Sequence, residues 1–205
     1  MRKVNDFFFH KAKKEKYPAR SVYKLDEAQQ KYTFLKKGQR VIDFGCHPGS
    51  WSLYAAEKVG ERGVVVGLDL QPTDIPRQKP NAEIHWLCYD VYAEDIVSVL
   101  KKQWPGFHVF LSDMAPRTTG SHYADHQQSM RLVGRVMELT SYLLHENGTL
   151  YCKAFQGEDF PALIQECKSF FQTIKVVKPQ SSRTESREVF ILGRRFRPGI
   201  WKKEG

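Results

Sequence analysis

The 205-residue chain is 41% hydrophobic, enough for one substantial core and short for two, so a single domain over residues 1–205 is expected. Its 32 Lys and Arg against 23 Asp and Glu leave a formal charge of +9, which makes a polyanionic partner plausible but does not by itself separate nucleic-acid binding from plain solvated surface. The four cysteines form no C-x-x-C pair and the seven histidines no H-E-x-x-H spacing, which argues against a disulfide framework, a zinc site and metal hydrolysis. No signal peptide and no apolar run near the roughly 20 residues of a spanning helix are present, so a cytoplasmic chain without membrane contact is expected.

Residues 1–19 form a basic arm with little periodicity, expected to wrap or fray. Ser21 then opens a helix with Val22, Leu25 and Ala28 at helical spacing and Lys24 on it. The run from Val41 to Phe44 is apolar apart from Asp43, breaks at Gly45, and meets a Pro48-Gly49 turn before an amphipathic stretch beginning at Trp51. That pattern reads as strand, glycine turn and helix, in which glycine lets the backbone approach a ligand, the helix offers unpaired N–H groups and Asp43 anchors the loop. An ordinary βα turn would look similar, so context has to decide.

The second strand, 64–69, ends in Asp69, where a βαβ unit places the acid that meets the ribose hydroxyls of an adenosine-type cofactor. A third strand over 84–88 is followed by Asp90, positioned to reach the base, and then by a helix near 93–104. The fourth strand, 109–111, closes on Ser112-Asp113-Met114-Ala115-Pro116, with Asp113 at the cofactor crevice and the loop to Ala124 able to cover a substrate. A long helix from about Asp125 buries Val133, Val136 and Met137 and is expected to end at Asn147-Gly148. A fifth strand over 149–155 carries Lys153, a helix follows with Phe160, Leu163 and Cys167, and strands over 173–177 and 188–192 are joined by a basic loop, leaving a basic tail from about 194 to 205. The alternation predicts an α/β fold: a mostly parallel seven-stranded sheet, antiparallel at its last strand, with helices on both faces.

A nicotinamide enzyme would normally show G-x-G-x-x-G, which Gly45 and Gly49 do not complete, and a P-loop is absent. S-adenosylmethionine asks for a close turn, an acid for the ribose and a polar group for the base, which Gly45 with Gly49, Asp69 and Asp90 offer. With Ser21-Val22-Tyr23-Lys24-Leu25, Asp43-Phe44-Gly45, Pro48-Gly49, Trp51-Ser52, Asp69-Leu70, Ser112 to Pro116, Lys153, Phe155 to Gly157, Ser181-Ser182-Arg183 and Ser186 to Val189, the chain resembles the FtsJ/RrmJ family of ribose 2′-O-methyltransferases from about Arg20 to Leu192.

The resemblance implies a Rossmann-like methyltransferase fold, S-adenosyl-L-methionine as cofactor, and a catalytic set falling on Lys24, Asp113, Lys153 and Glu188. Its cofactor contacts fall on Gly45, Gly49, Trp51, Asp69, Asp90 and Asp113, with no metal. Cys46-His47 and Ser50 depart from the small residues usual in that loop. Chemically, a ribose hydroxyl must lose a proton, and Lys153 is the expected general base, favoured as such by burial or by a second cation such as Lys24. Asp113 is expected to orient Lys153, and Glu188 to hold Lys24 or the ribose. The expected partner is RNA, a uridine of 23S-type rRNA in the large ribosomal subunit, with the enzyme a monomer. A tRNA anticodon-loop methyltransferase and a non-catalytic RNA-binding assembly factor are the alternatives.

Overall fold

The computed structural model describes residues 2–76, 80–116, 119–183 and 185–199, with side chains from residue 7 onward. Lys202 and Lys203 of the expected tail, and the side chains of Arg2 and Lys3 in the arm, lie outside what is described.

Among the described residues six helices, α1 (Arg2–Lys14), α2 (Val22–Tyr32), α3 (Ser50–Val59), α4 (Ile96–Gln103), α5 (His122–Leu143) and α6 (Phe160–Phe170), flank seven strands. The strands are β1 (Arg40–Phe44), β2 (Val64–Asp69), β3 (Glu83–Cys88), β4 (Phe107–Ser112), β5 (Leu144–Phe155), β6 (Phe171–Val177) and β7 (Glu188–Phe196). They make one sheet in the order β3-β2-β1-β4-β5-β7-β6, with β7 antiparallel to both neighbours and the other pairings parallel.

Alternation along each strand splits the core in two. Ile42, Phe44, Val66, Leu68, Phe110, Leu150 and Ile191 face α4, α5 and α6. Their neighbours Val41, Val65, Val109, Leu111, Tyr151 and Phe190 face α2 and α3. Strands buried on both faces read as continuous apolar runs, which is why β1, β2 and β4 stand out in the sequence. Chain direction across the sheet reverses between β1 and β4, so the loops after these two strands part and leave a crevice at their carboxyl ends. Gly45 and Asp113 begin those two loops.

Three local expectations need correction. The basic arm is helical as α1, with Ala12 buried and the Phe8 ring tilted against Tyr23 at 5.3 Å, so tertiary docking orders what periodicity did not announce. The long helix ends at Leu143 rather than at Asn147-Gly148, because Leu144 already pairs with Phe107 and the Asn-Gly turn, with Asn147 at φ +63°, is absorbed as a register shift inside β5. Finally, Arg194 belongs to β7 rather than to a tail, paired with Thr149 on one side and Thr173 on the other. Among the described residues no helix is long and apolar enough to cross a membrane.

Candidate active site

Lys24 of α2, Asp113 after β4, Lys153 near the end of β5 and Glu188 opening β7 meet at the carboxyl edge of the sheet. Lys24 Nζ lies 2.9 Å from Glu188 Oε2 and 3.7 Å from Asp113 Oδ1. Lys153 Nζ donates to Asp113 Oδ1 at 2.9 Å and also to the Asp113 backbone carbonyl. Lys153 is only 7% exposed and Glu188 9%, which separates them from solvated surface charges; paired with Asp113 and Lys24 they form a cluster of two cations and two anions whose desolvation is offset by mutual attraction.

The surroundings hold this cluster in place. The Tyr151 hydroxyl donates to the Lys24 carbonyl at 3.0 Å, tying α2 to β5. Glu27, one turn further along α2, accepts from the backbone N–H groups of Gln180 and Ser181 at 2.6 and 2.9 Å, and so fastens the loop before β7. Lys178 Nζ donates to the carbonyls of Ser186 and Glu188, closing that loop from its other end. A buried amine held by a carboxylate at the mouth of a crevice can orient a hydroxyl and take its proton.

Beside the cluster, a cavity of about 380 Å³ runs over the ends of β1, β2 and β4, lined by Gly45, Asp69, Asp90, Asp113, Met114 and Leu132 among others. Gly45 sits at φ +74°, and a Cβ there would come within 2.5 Å of Met114 Cγ, so no other residue fits the turn. Asp69 is held by the backbone N–H groups of His47 at 3.0 Å and Gln71 at 2.9 Å, and Asp90 by that of Tyr92 at 2.9 Å. Asp43, fully buried in β1, accepts the Ser52 hydroxyl at 2.7 Å, while its Oδ1 has no hydrogen-bond partner among the described residues. Burial drives its carboxyl up to about 8, against the Ser52 hydrogen bond and with the negative charges of Asp113 and Asp69 adding to the rise. Asp69 and Asp90, which make no ion pair among the described residues, give the crevice an acidic lining suited to a cationic ligand.

The profile described as FtsJ-like methyltransferase matches residues 17–196. The chain belongs to this family. The FtsJ-like chain is 47% identical over 197 residues to a protein of Desulfotalea psychrophila named ribosomal RNA large subunit methyltransferase E, covering 96% of this chain and 98% of the relative. It is 40% identical to the protein of that name from Lawsonia intracellularis, with 96% and 98% covered. Among solved structures, a Plasmodium falciparum protein described as a ribosomal RNA methyltransferase superposes with a TM-score of 0.76 at 26% identity, over 88% of this chain and 98% of that one. Aeropyrum pernix fibrillarin, solved with S-adenosyl-L-methionine bound, shares the fold at a TM-score of 0.60 and 16% identity, over 84% of this chain and 76% of that one.

The groove of this FtsJ-like chain fits S-adenosylmethionine. Asp69 and Asp90 can accept hydroxyl and amine hydrogens, and the acidic lining favours its positive charges. Two expected contacts need restating. Neither Gly49 nor Trp51 lines the cavity. Gly49, at φ +105°, instead packs where a Cβ would strike Ile75 and Trp86. The Trp51 ring is buried, donates to the Ser21 carbonyl at 2.8 Å and stacks 5.6 Å from Tyr151, so only its backbone N–H is left to offer a ligand. An aromatic just after a glycine turn looks ligand-facing in sequence, whereas here it joins α2 to α3. His47, Leu70, Tyr92, Met114 and Leu132 line the cavity without having been expected; His47 belongs to the unusual Cys46-His47 pair, and Leu132 carried no signal beyond helical periodicity.

Proposed function

We propose that the chain, as one methyltransferase domain acting as a cytoplasmic monomer, transfers a methyl group from S-adenosylmethionine to a ribose 2′-hydroxyl of large-subunit ribosomal RNA, at a uridine. The observation that carries this reading is the convergence of Lys24, Asp113, Lys153 and Glu188 in one buried cluster beside the groove. Relatives named ribosomal RNA large subunit methyltransferase E, matched over nearly their whole length, support the choice of RNA.

When bound, S-adenosylmethionine supplies an already electrophilic sulfonium methyl. Gly45, Asp69, Asp90 and Asp113 hold it. The protein's remaining tasks are alignment and removal of one proton. Acting as the neutral amine, Lys153 Nζ receives the proton of the ribose hydroxyl and becomes the ammonium that Asp113 pairs. Asp113 Oδ1 fixes the direction of that amine and stabilises it once protonated, and Glu188 holds Lys24 so that a second cation stands beside the base. The basic side chains of α1 and of the loop before β7 meet the phosphate backbone, giving salt-sensitive binding.

The test is incubation with methyl-labelled cofactor and, separately, large ribosomal subunits, naked ribosomal RNA and tRNA, followed by mapping of the modified nucleotide. A 2′-O-methyluridine in large-subunit RNA is expected. Label confined to tRNA, or found on a base, would refute the reading.

A further inference from the structure

A second, smaller cavity lies on the far side of the catalytic cluster from the cofactor groove. It occupies about 140 Å³ between the start of α5, the end of β5 and the loop before β7, and His122, Asp125, Phe155, Glu185 and Arg187 line it. Its link to the cluster is covalent and close: Arg187 directly precedes Glu188, Phe155 is paired with Glu188 across β5 and β7, and the Gln156 N–H donates to the Arg187 carbonyl at 3.0 Å. Along the carboxyl edge of the sheet the order is therefore cofactor groove over β2, β1 and β4, catalytic cluster at β4, β5 and β7, then this cavity. Because Arg187 adjoins Glu188, the cavity lies within one nucleotide's reach of the cluster.

The floor of this cavity is built and its rim is free. His126 beneath it is 4% exposed; its Nδ1 lies 3.1 Å from the Phe155 carbonyl, while its Nε2 lies 3.3 Å from the Asp159 backbone nitrogen. The same Nε2 also lies 3.4 Å from Asp159 Oδ2. Gly157 packs so tightly on this ring that a Cβ would come within 2.5 Å of Nδ1. Asp125 is fixed by the Thr119 N–H at 2.7 Å and the Thr119 hydroxyl at 3.0 Å. By contrast the Arg187 guanidinium and the Glu185 carboxylate are exposed and make no ion pair or side-chain hydrogen bond among the described residues, although they line the same cavity.

The chemistry selects the occupant. A phosphate would meet the two carboxylates of Asp125 and Glu185 as well as Arg187, and like charges repel. A nucleobase is neutral, presents hydrogen-bond acceptors and donors side by side, and has a flat apolar face for Phe155 to pack against. The volume suits one ring better than the two of a purine. We propose that this cavity receives the pyrimidine base of the nucleotide being methylated, and that Arg187 reads a carbonyl oxygen on its edge. This rests on the reading of the chain as an RNA ribose methyltransferase and adds to it a determinant of which nucleotide is modified.

The test uses the full-length enzyme and large ribosomal subunits carrying each of the four bases at the mapped position, with kcat and KM measured for wild type, Arg187→Ala, Arg187→Lys and His122→Ala. Wild type is expected to favour pyrimidines over purines by roughly tenfold or more in kcat/KM, the discrimination of about one well-made contact. Arg187→Ala should bring the four bases to within about threefold of one another, and Arg187→Lys should restore part of the preference. Unchanged affinity for S-adenosylmethionine in each variant shows that the fold is intact. Three results overturn the proposal: an unaltered base preference in Arg187→Ala; an equal loss for all four bases together with a shallower salt dependence, which makes Arg187 a phosphate contact; or a preference that follows neither Arg187 nor His122. If wild type methylates no ribose at all, the parent reading fails, which is a different outcome from these three.

Discussion

Replacing Asp43 with Asn isolates the electrostatic cost of the crevice. Asp43 is fully buried, and burial moves its carboxyl from an ordinary 3.8 up to about 8. Between those values the folded protein keeps a proton that the unfolded chain has released, so stability falls as pH rises across that window. Each pH unit inside the window is worth about 1.4 kcal/mol, so from pH 5 to pH 7 this group alone removes about 2 to 3 kcal/mol. Asparagine is similar in shape, can still accept the Ser52 hydroxyl, and does not titrate. Urea unfolding at pH 5, 6 and 7 should therefore show Asp43→Asn gaining on wild type by about that amount over the two units. Parallel pH dependences for the two proteins would mean that Asp43 is already ionised when folded and would refute the reasoning.

Other consequences are open to measurement. Gly45→Ala forces a side chain into Met114 at a positive φ, so it should weaken S-adenosylmethionine binding by at least tenfold in calorimetry while the α4–α6 side of the core stays folded. At the opposite edge of the sheet, the Arg40 backbone N–H donates to His108 Nδ1 at 3.0 Å, and the Arg40 guanidinium lies 3.0 Å from His145 Nε2. Burial chiefly, with the nearby Arg40, lowers both imidazoles; their stabilising, neutral form is complete above the ordinary value near 6.5 and is lost as pH falls below it. A His108→Gln, His145→Gln variant should unfold with a flatter pH dependence between about 6.5 and 5 than wild type, as followed by thermal melts.

Strand positions were legible where both faces are buried: β2 was expected over the same residues it occupies, 64–69, and β1 within one residue of its limits. The mostly parallel seven-stranded sheet and its antiparallel end followed from the alternation of elements and the polar connection between the last two strands, whereas the order of the strands is read from the structure. Signals that are purely local misled. Asn147-Gly148 is a strong turn pair, yet it sits inside β5 because pairing with β4 resumes on both sides of it. Arg194 and Arg195 read as tail because charge hides a strand whose pairing partners, Thr149 and Thr173, are distant in sequence. At the site, the resemblance to the family's motifs implied Lys24, Asp113, Lys153 and Glu188 as one set, and the fold brings them within ion-pair distance. It could not show that Trp51 turns inward to Tyr151, nor that Met114 and Leu132 wall the groove, because both facts depend on how elements far apart in the chain pack.

Lys153→Ala tests the central claim most directly. Its amine lies against Asp113 beside the groove and makes no hydrogen bond to Gly45, Asp69 or Asp90, which keep their own contacts. The variant should bind S-adenosylmethionine with the affinity of wild type in calorimetry and transfer label to large ribosomal subunits at least 100-fold more slowly, the range expected for loss of a general base. Transfer at the wild-type rate with unchanged cofactor affinity would remove Lys153 from the mechanism and contradict the account.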